Sequence, residues 1–536
     1  MLFLDLLYSN KEVAMNNHLQ SIVVVGGGTA GWLSAGIIAA YLQKHHSLNY
    51  KITLVESSDI PTVGVGEGTW PTMRRTLQNM GVDEADFINQ CNVSFKQGAK
   101  FAKWHTGKED DFYYHPLMMP QCFNDTDLSS AWLNLHTQPN GQLQPSFANY
   151  VCPQQALCEH NLAPKLITTA QYSAVANYAY HLDAGRFATF LKNHCVNKLN
   201  VTHVVSTIEA VNNHKNGDIA SLSLDNNTTL AGDLFIDCSG FKSLLLGDNL
   251  KVGFKSCKDV LFADSALAVH VPYDENQPIS SHTISTAQSA GWIWDIGLQT
   301  RRGVGHVYSS RHISEQEAKN QLCDYLNIAQ QDRASLAVKK VTFEPGHREK
   351  FWHKNCVAVG LSAGFLEPLE ASALLLVEIS ANFIAEQLPA NRQVMDITAA
   401  RFNRTFSYRW QRIIDFLKLH YMLSKRTDSE FWLQHCAVQS IPQSLQDSLA
   451  IWQTHVPNDS HFDYSVEVFP AASYQYVLYG MGFKTAITHY GNNPHYHKKA
   501  HSLVIKNAKD TALLVNKLPG NRTLLDQIKQ FGLAAI

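Results

Sequence analysis

One stretch near the start of the chain restricts its fold more than any other. The run Ser21-Ile-Val-Val-Val25 leads straight into Gly26-Gly-Gly-Thr-Ala-Gly31, and Trp32 to Leu42 is rich in Ala, Leu and Ile. A short β-branched run predicts a strand buried in a parallel sheet, and the segment after the glycines predicts a helix. Lys51-Ile-Thr-Leu-Val-Glu56 supplies a second strand, so the three pieces read as one βαβ unit. Within such a unit each glycine has a task. Gly26 permits the tight turn, Gly28 lets the backbone approach a pyrophosphate, and Gly31 lets the helix pack close to the strand.

The N-terminus of that helix, at Thr29 and Ala30, offers free N–H groups and a positive dipole end to phosphates. Glu56, with Ser57 after it, stands where an acidic residue accepts hydrogen bonds from ribose hydroxyls. A dinucleotide site is therefore expected. The rest of the chain favours FAD over NAD; with one such fingerprint and no obvious second module to deliver hydride from NAD(P)H, its reduction is assigned to another protein.

Further strands are expected at Asp233-Leu-Phe-Ile-Asp237 and Asn355-Cys-Val-Ala-Val359, as later members of the same sheet. The turn Asp237-Cys-Ser-Gly240 reads either as a neighbour of the cofactor or as a plain strand end. Gly64-Val-Gly-Glu-Gly-Thr-Trp-Pro71 is expected to be an irregular loop near the first module. From Ile397 onward apolar residues recur at helical spacing, as in Phe402, Phe406, Trp410, Ile413, Ile414, Leu417 and Tyr421. The expected architecture is α/β, with an FAD-binding Rossmann-type module of the GxGxxG flavoprotein monooxygenase-like kind, a mixed-sheet insertion and a mostly helical substrate module. Its boundaries are a flexible N-terminal extension over 1–19, the FAD module over 20–396 and the helical module over 397–536. No repeat or long Pro/Ser linker separates them, so the modules should pack together.

Charge excludes some partners. Lys+Arg number 44 against 46 Asp+Glu, which leaves no basic field for nucleic acid or an anionic membrane. Hydrophobic residues at 45% with 17% charged describe an ordered globular protein. No apolar run is long enough to span a bilayer. The opening fifteen residues contain Asp5 and lack a basic start and a small-residue cleavage site, so they read as a tail, or as an upstream start ahead of Met15. Ten cysteines include no CxxC pair; Cys152 and Cys158 lack a matching second pair, and a reduced, cytoplasmic protein is expected. His489, His495, His497 and His501 are read as a polar loop, with no metal site.

In this order the motifs resemble those of the flavin-dependent tryptophan halogenases. The resemblance is carried by Gly26-Gly-Gly-Thr-Ala-Gly-Trp32, Gly64-Val-Gly-Glu-Gly-Thr-Trp-Pro71, Phe95-Lys-Gln-Gly-Ala-Lys-Phe101 with Trp104, Trp292-Ile-Trp-Asp-Ile296, and Asn355 through Glu370. It spans about Ile22 to about Tyr421. The resemblance implies a box-shaped FAD module topped by a helical pyramid of substrate residues. Reduced FAD from a separate flavin reductase, O2 and a halide would give hypohalous acid, which travels through a tunnel to a lysine beside a glutamate. The substrate would be a small electron-rich arene such as tryptophan, free indole or a relative, and a homodimer is common for such enzymes.

Position by position, the resemblance implies Lys96 as the relay lysine and Glu370 as the catalytic glutamate, with Glu367 as its decoy. A lysine amine can donate to the hypohalous oxygen or capture halogen on nitrogen, more readily if burial lowers its pKa. Its neighbours Lys100 and Lys103 read as solvated. A carboxylate at 370 can orient the halogenating species or take the ring proton; either glutamate could instead cap a helix beginning near Ser372. Halide would lie on the backbone amides of Ser372 and Ala373. Trp292 and Trp294, on one face of an extended segment, would wall the flavin from the substrate. Gly66, Glu67, Leu361 and Leu374 complete the expected cofactor contacts.

Two departures from the family pattern stand out. Ala371-Ser372-Ala373 replaces Ser-Thr-Gly, so if the glycine conformation has positive φ, Ala373 is strained and the halide pocket reshaped, with bromide favoured over chloride. Gly297 replaces a proline after the tryptophan pair. Tyr474, Tyr476 and Tyr479 read either as stacking partners for an indole or as packing residues. The rival functions are a flavoprotein monooxygenase hydroxylating a small aromatic, and a non-catalytic flavin-binding sensor.

Overall fold

The computed structural model describes residues 19–45, 50–59, 66–136, 145–274, 276–486 and 494–534. Most of the expected N-terminal extension, and His489, lie outside the described residues. The β-branched run forms the strand Ser21–Val25, buried along nearly its whole length and paired in parallel with Lys51–Glu56 on one side and Leu234–Asp237 on the other. Thr202–Val205 extends the sheet beyond Lys51–Glu56, and Cys356–Ala358 extends it beyond Leu234–Asp237. The antiparallel edge strand Trp352–His353 makes it six-stranded. All four expected strands belong to this sheet, and the helix Thr29–Lys44 crosses between the first two.

A seven-stranded mixed sheet stands beside it, in the order Lys339–Thr342, Ser265–Pro272, Arg301–Tyr308, Gly291–Gly297, Thr283–Gln288, Gly98–Ala102 and Phe112–Pro116. Its one parallel pairing joins Thr283–Gln288 to Gly98–Ala102. A small antiparallel sheet packs on the mixed sheet through Gly66–Gly68, with Ala179–Asp183 between Gly66–Gly68 and Ser94–Lys96. Gly66–Gly68 was expected as irregular loop. Because glycine has no Cβ, the strand fits against Gly303 and Ile296 of the mixed sheet, and backbone pairing to His181 and Leu182 fixes it as extended.

The apolar period after Ile397 belongs to a helix, Arg392–Met422, that begins where the Asn391 side chain accepts from the Val394 amide. Its face of Phe402, Phe406, Trp410, Ile413, Ile414, Leu417 and Tyr421 is buried throughout. The final helix, Asn521–Phe531, returns to the N-terminal half: Asn521 Nδ2 donates to Phe95 O at 3.2 Å, directly behind Lys96. His495, His497 and His501 form no loop. They are exposed on the helix Pro494–Lys517, whose spacing of polar and apolar residues continues through them. Among the described residues no His/Cys/Asp/Glu group could hold a metal, and no helix is long and apolar enough to cross a membrane.

Candidate active site

The glycine turn opens into a cavity of about 490 Å³, within the range of small-molecule clefts. Gly26 has φ of 113° and lies so close to the end of Leu234–Asp237 that a Cβ would fall 2.3 Å from Cys238 O. At Gly31 a Cβ would meet Gly26 O at 1.8 Å, the close helix–strand packing asked of the third glycine. At Gly28 it would meet nothing within 4 Å, so that side of the turn faces open space. Gly27 has a task the motif does not reveal. A Cβ there would sit 1.5 Å from Glu56 Oε2, so its bare backbone lets Glu56 fold over the turn, where Oε1 lies 2.8 Å from His203 Nε2.

Gly26, Gly28, Thr29, Ala30, Glu56, Ser57, Gly66, Glu67, Leu361 and Leu374 all line this cavity, as do Lys96, Trp292, Trp294, Ser372 and Ala373. Gly31 and Glu370 do not. Cys238, Ser239 and Gly240 line it as well, which favours the cofactor-side reading of that turn. The glycine turn, the open helix N-terminus, the acidic strand end and a largely apolar far wall fit a flavin dinucleotide.

At the far end, strand Ser94–Lys96 buries Lys96 to 4% exposure. Its amine donates to Thr69 O at 3.4 Å, and burial lowers its pKa to about 8 against the opposing pull of Glu370. Lys100 and Lys103 remain partly exposed. A Cβ on Gly68 would lie 3.3 Å from the Lys96 amine and 3.3 Å from Ala371 Cβ, so this glycine leaves the space in which lysine and helix start meet.

That helix, Ser372–Glu386, is capped by no side chain, which excludes Glu367 and Glu370 from the capping role. Its first turn therefore presents free N–H groups at Ser372 and Ala373. The strain is displaced by two residues from its expected place. Ala373 is ordinary helix, whereas Ala371 holds the left-handed conformation with φ of 51° and ψ of 38°. A non-glycine residue there costs about 1–2 kcal/mol.

Glu370 does not line the cavity, and its carboxylate meets residues that the sequence does not single out. His115 Nδ1 lies 2.9 Å and His420 Nε2 3.2 Å from Glu370 Oε1. Behind them Ser473 Oγ is 2.9 Å from His115 Nε2, and Tyr113 Oη 2.5 Å from His420 Nδ1. Burial would raise the Glu370 pKa, but the two imidazoles overcome it and hold the carboxyl down at about 2. In a sequence with 25 histidines nothing distinguishes these two, because they approach Glu370 from a different strand and a different helix.

Trp292 and Trp294 occupy strand Gly291–Gly297 side by side, with ring centroids 6.4 Å apart. Gly297 continues that strand, where a Cβ would press within 2.9 Å of the Tyr273 hydroxyl. Tyr474, Tyr476 and Tyr479 are all buried in helix Ala471–Gly480: Tyr474 packs on Trp452 and Phe416, Tyr476 donates to Met118 O at 2.9 Å, and Tyr479 packs on Phe147.

The tryptophan halogenase family model matches residues 21–492. The curated tryptophan 7-halogenase KtzQ of Kutzneria sp. (strain 744) is 32% identical over 495 residues, covering 87% of this chain and 90% of its own. A crystal structure of a tryptophan halogenase from Shewanella frigidimarina NCIMB 400 superposes with a TM-score of 0.94 at 47% identity, covering 98% of this chain and all of that one. Another flavin-dependent halogenase, BrvH of Brevundimonas sp. BAL3, gives a TM-score of 0.82 at 31% identity, over 95% of this chain and 99% of that one.

Proposed function

The chain belongs to the tryptophan halogenase family of flavin-dependent enzymes, and from that premise we propose that Lys96 relays hypohalous acid to a small electron-rich arene bound beside Glu370. The observation carrying this reading is the meeting of the buried Lys96 amine with the uncapped start of Ser372–Glu386 across Gly68. Tryptophan, free indole or a related arene is the substrate class.

FAD, when bound and reduced, would supply two electrons to O2 and halide would give two more, so that O2 ends as water and as the oxygen of hypohalous acid. The chain's own residues do the rest. Gly26, Gly28, Thr29, Ala30 and Gly31 seat the pyrophosphate on the helix start, and Glu56, with Ser57, holds the ribose. Gly66, Glu67, Leu361 and Leu374 flank the ring end. The amides of Ser372 and Ala373 hold halide, and the left-handed Ala371 sets how far they open; the pocket thus shaped favours bromide, the more easily oxidised ion. Trp292 and Trp294 keep the arene from the flavin, so halogen crosses only by way of Lys96. With its pKa near 8, the lysine presents both ammonium and amine forms around neutral pH, as donor or as halogen carrier.

Glu370 acts first through charge. Held ionised by His115 and His420, it stabilises the cationic ring formed as halogen adds. A carboxyl at about 2 is a weak base, but a halogenated arenium ion is acidic enough to give it a proton. With one dinucleotide fingerprint in the chain, reduced FAD comes from a separate flavin reductase.

Product mass spectrometry with FAD, a flavin reductase, NADH and an indole panel, run with chloride and with bromide, tests this reading. A halogen isotope pattern that disappears in Lys96→Ala while FAD stays bound is expected. Undiminished product from that variant, or a gain of oxygen alone, would overturn it. Gly28→Val should fold yet lose FAD, since its Cβ points into open space, whereas Gly31→Ala should unfold the turn by clashing with Gly26 O. Flavin retention and thermal melts separate the two.

A further inference from the structure

We propose that Glu367 is a positioning residue that pins the Trp292 face of the wall to the helical module, so that the flavin and substrate compartments stay apart during turnover. This rests on the halogenase reading above. The pin is a single carboxylate oxygen: Glu367 Oε2 accepts from Trp292 Nε1 at 2.7 Å and from the Tyr421 hydroxyl at 2.6 Å. All three side chains are almost fully enclosed, at 2%, 1% and 0% exposure.

The anchor behind the pin is rigid. The Tyr421 ring stacks on His435 with centroids 4.1 Å apart and planes 11° from parallel. His435 Nδ1 is 2.9 Å from the Lys418 amine, which also donates to Ser440 Oγ at 2.9 Å and to Val260 O at 3.2 Å. Three acceptors surround the Lys418 amine, whose pKa burial lowers to about 7, and these contacts tie the stack to helix Arg392–Met422.

The second wall residue is held by other means. Trp294 Nε1 has no hydrogen-bond partner among the described residues, and its ring lies where a Cβ on Gly305 would come within 2.1 Å. Trp294 is thus fixed by shape and Trp292 by a directed bond. Stability alone gives no reason to place a carboxyl at 367. Burying one against neutral donors is costly, and an apolar side chain of similar volume would cost less. The carboxyl makes sense as an acceptor that two donors must share.

The test labels the protein with 5-fluorotryptophan and follows the ¹⁹F resonance of Trp292, assigned by its loss in Trp292→Phe. Glu367→Leu removes the acceptor, and its Trp292 line should shift or split while the other lines hold. Glu367→Gln keeps an amide oxygen in place of Oε2 and should restore the parent line. In the coupled assay Glu367→Leu should retain FAD, yield halogenated product per flavin oxidised lower by on the order of tenfold to a hundredfold, and release oxidising halogen to a solution trap. Glu367→Gln should stay near the parent. An unmoved Trp292 line in folded Glu367→Leu would overturn the proposal. Should that variant not fold, Tyr421→Phe removes one donor and must still move the line, or the proposal falls. A moved line in a protein whose parent form makes no halogenated product would keep the pin and remove the halogenase reading.

Discussion

Glu367 and Glu370 share one short segment, and both are nearly sealed from solvent, yet they are driven in opposite directions. Burial pushes Glu367 up to about 7, only partly offset by its bonds from Tyr421 and Trp292. Burial also acts upward on Glu370, but His115 and His420 bring it down to about 2. Enclosure is common to both, so the partners decide. A phenol and an indole lend a hydrogen bond without charge, whereas an imidazole can also carry a countercharge, an effect that burial opposes at His420 by lowering its own pKa. The chain thereby keeps one carboxylate ionised beside the proposed substrate position and, three residues before it, an acceptor without a countercharge in contact.

The largest effect should come from removing the charged member. Glu370→Ala should lower halogenation by about 10²–10⁴-fold with FAD still bound, because the carboxylate proposed to serve the reacting ring is gone. Equal losses from Glu370→Ala and Glu367→Gln in single-turnover product yields would erase the distinction between the two residues. Next, His420→Phe strips Glu370 of one imidazole, so its carboxyl should titrate higher. The acid limb of the pH–rate profile should move up, and an unmoved limb would leave His115 alone responsible.

Stability against pH gives a smaller but sharper contrast. The native pKa of Glu367 stands above its ordinary 4.5, so the folded state prefers its protonated form. Its contribution is complete below 4.5 and is lost as pH rises through about 7, by at most about 3 kcal/mol. Glu370 is the reverse: its contribution is present above 4.5 and is lost as pH falls towards about 2. Glu367→Gln should therefore gain on the parent in thermal melts between pH 5 and pH 8, and Glu370→Gln should fall least behind it near pH 3. Parallel curves for the two variants would show that their partners do not set them apart.

Much of this was legible in the residues themselves. The βαβ unit, the tasks of Gly26 and Gly31, the buried face from Phe402 to Tyr421 and the helix start at Ser372 are local patterns, written in neighbouring residues and in periods of two or 3.6. The placement of Lys96 and Glu370 came from motif order, which ranks candidates but supplies no partners. Gly66–Gly68 is a strand and not the expected loop because its pairing partner, Ala179–Asp183, lies more than a hundred residues away.

What the sequence by itself determined is the set of elements and the nucleotide turn, since backbone sterics and apolar periodicity act over a few residues. Only the tertiary structure decided the state of each group in the site. His115 and His420 reach Glu370 from 255 and 50 positions away in the chain, and Tyr421 and Trp292 converge on Glu367 from opposite sides in sequence. The left-handed turn falls at Ala371 rather than Ala373, beside Gly68, which also neighbours the Lys96 amine. Charge state, strain and wall rigidity depend on contacts across the fold, and such contacts leave no local pattern to read.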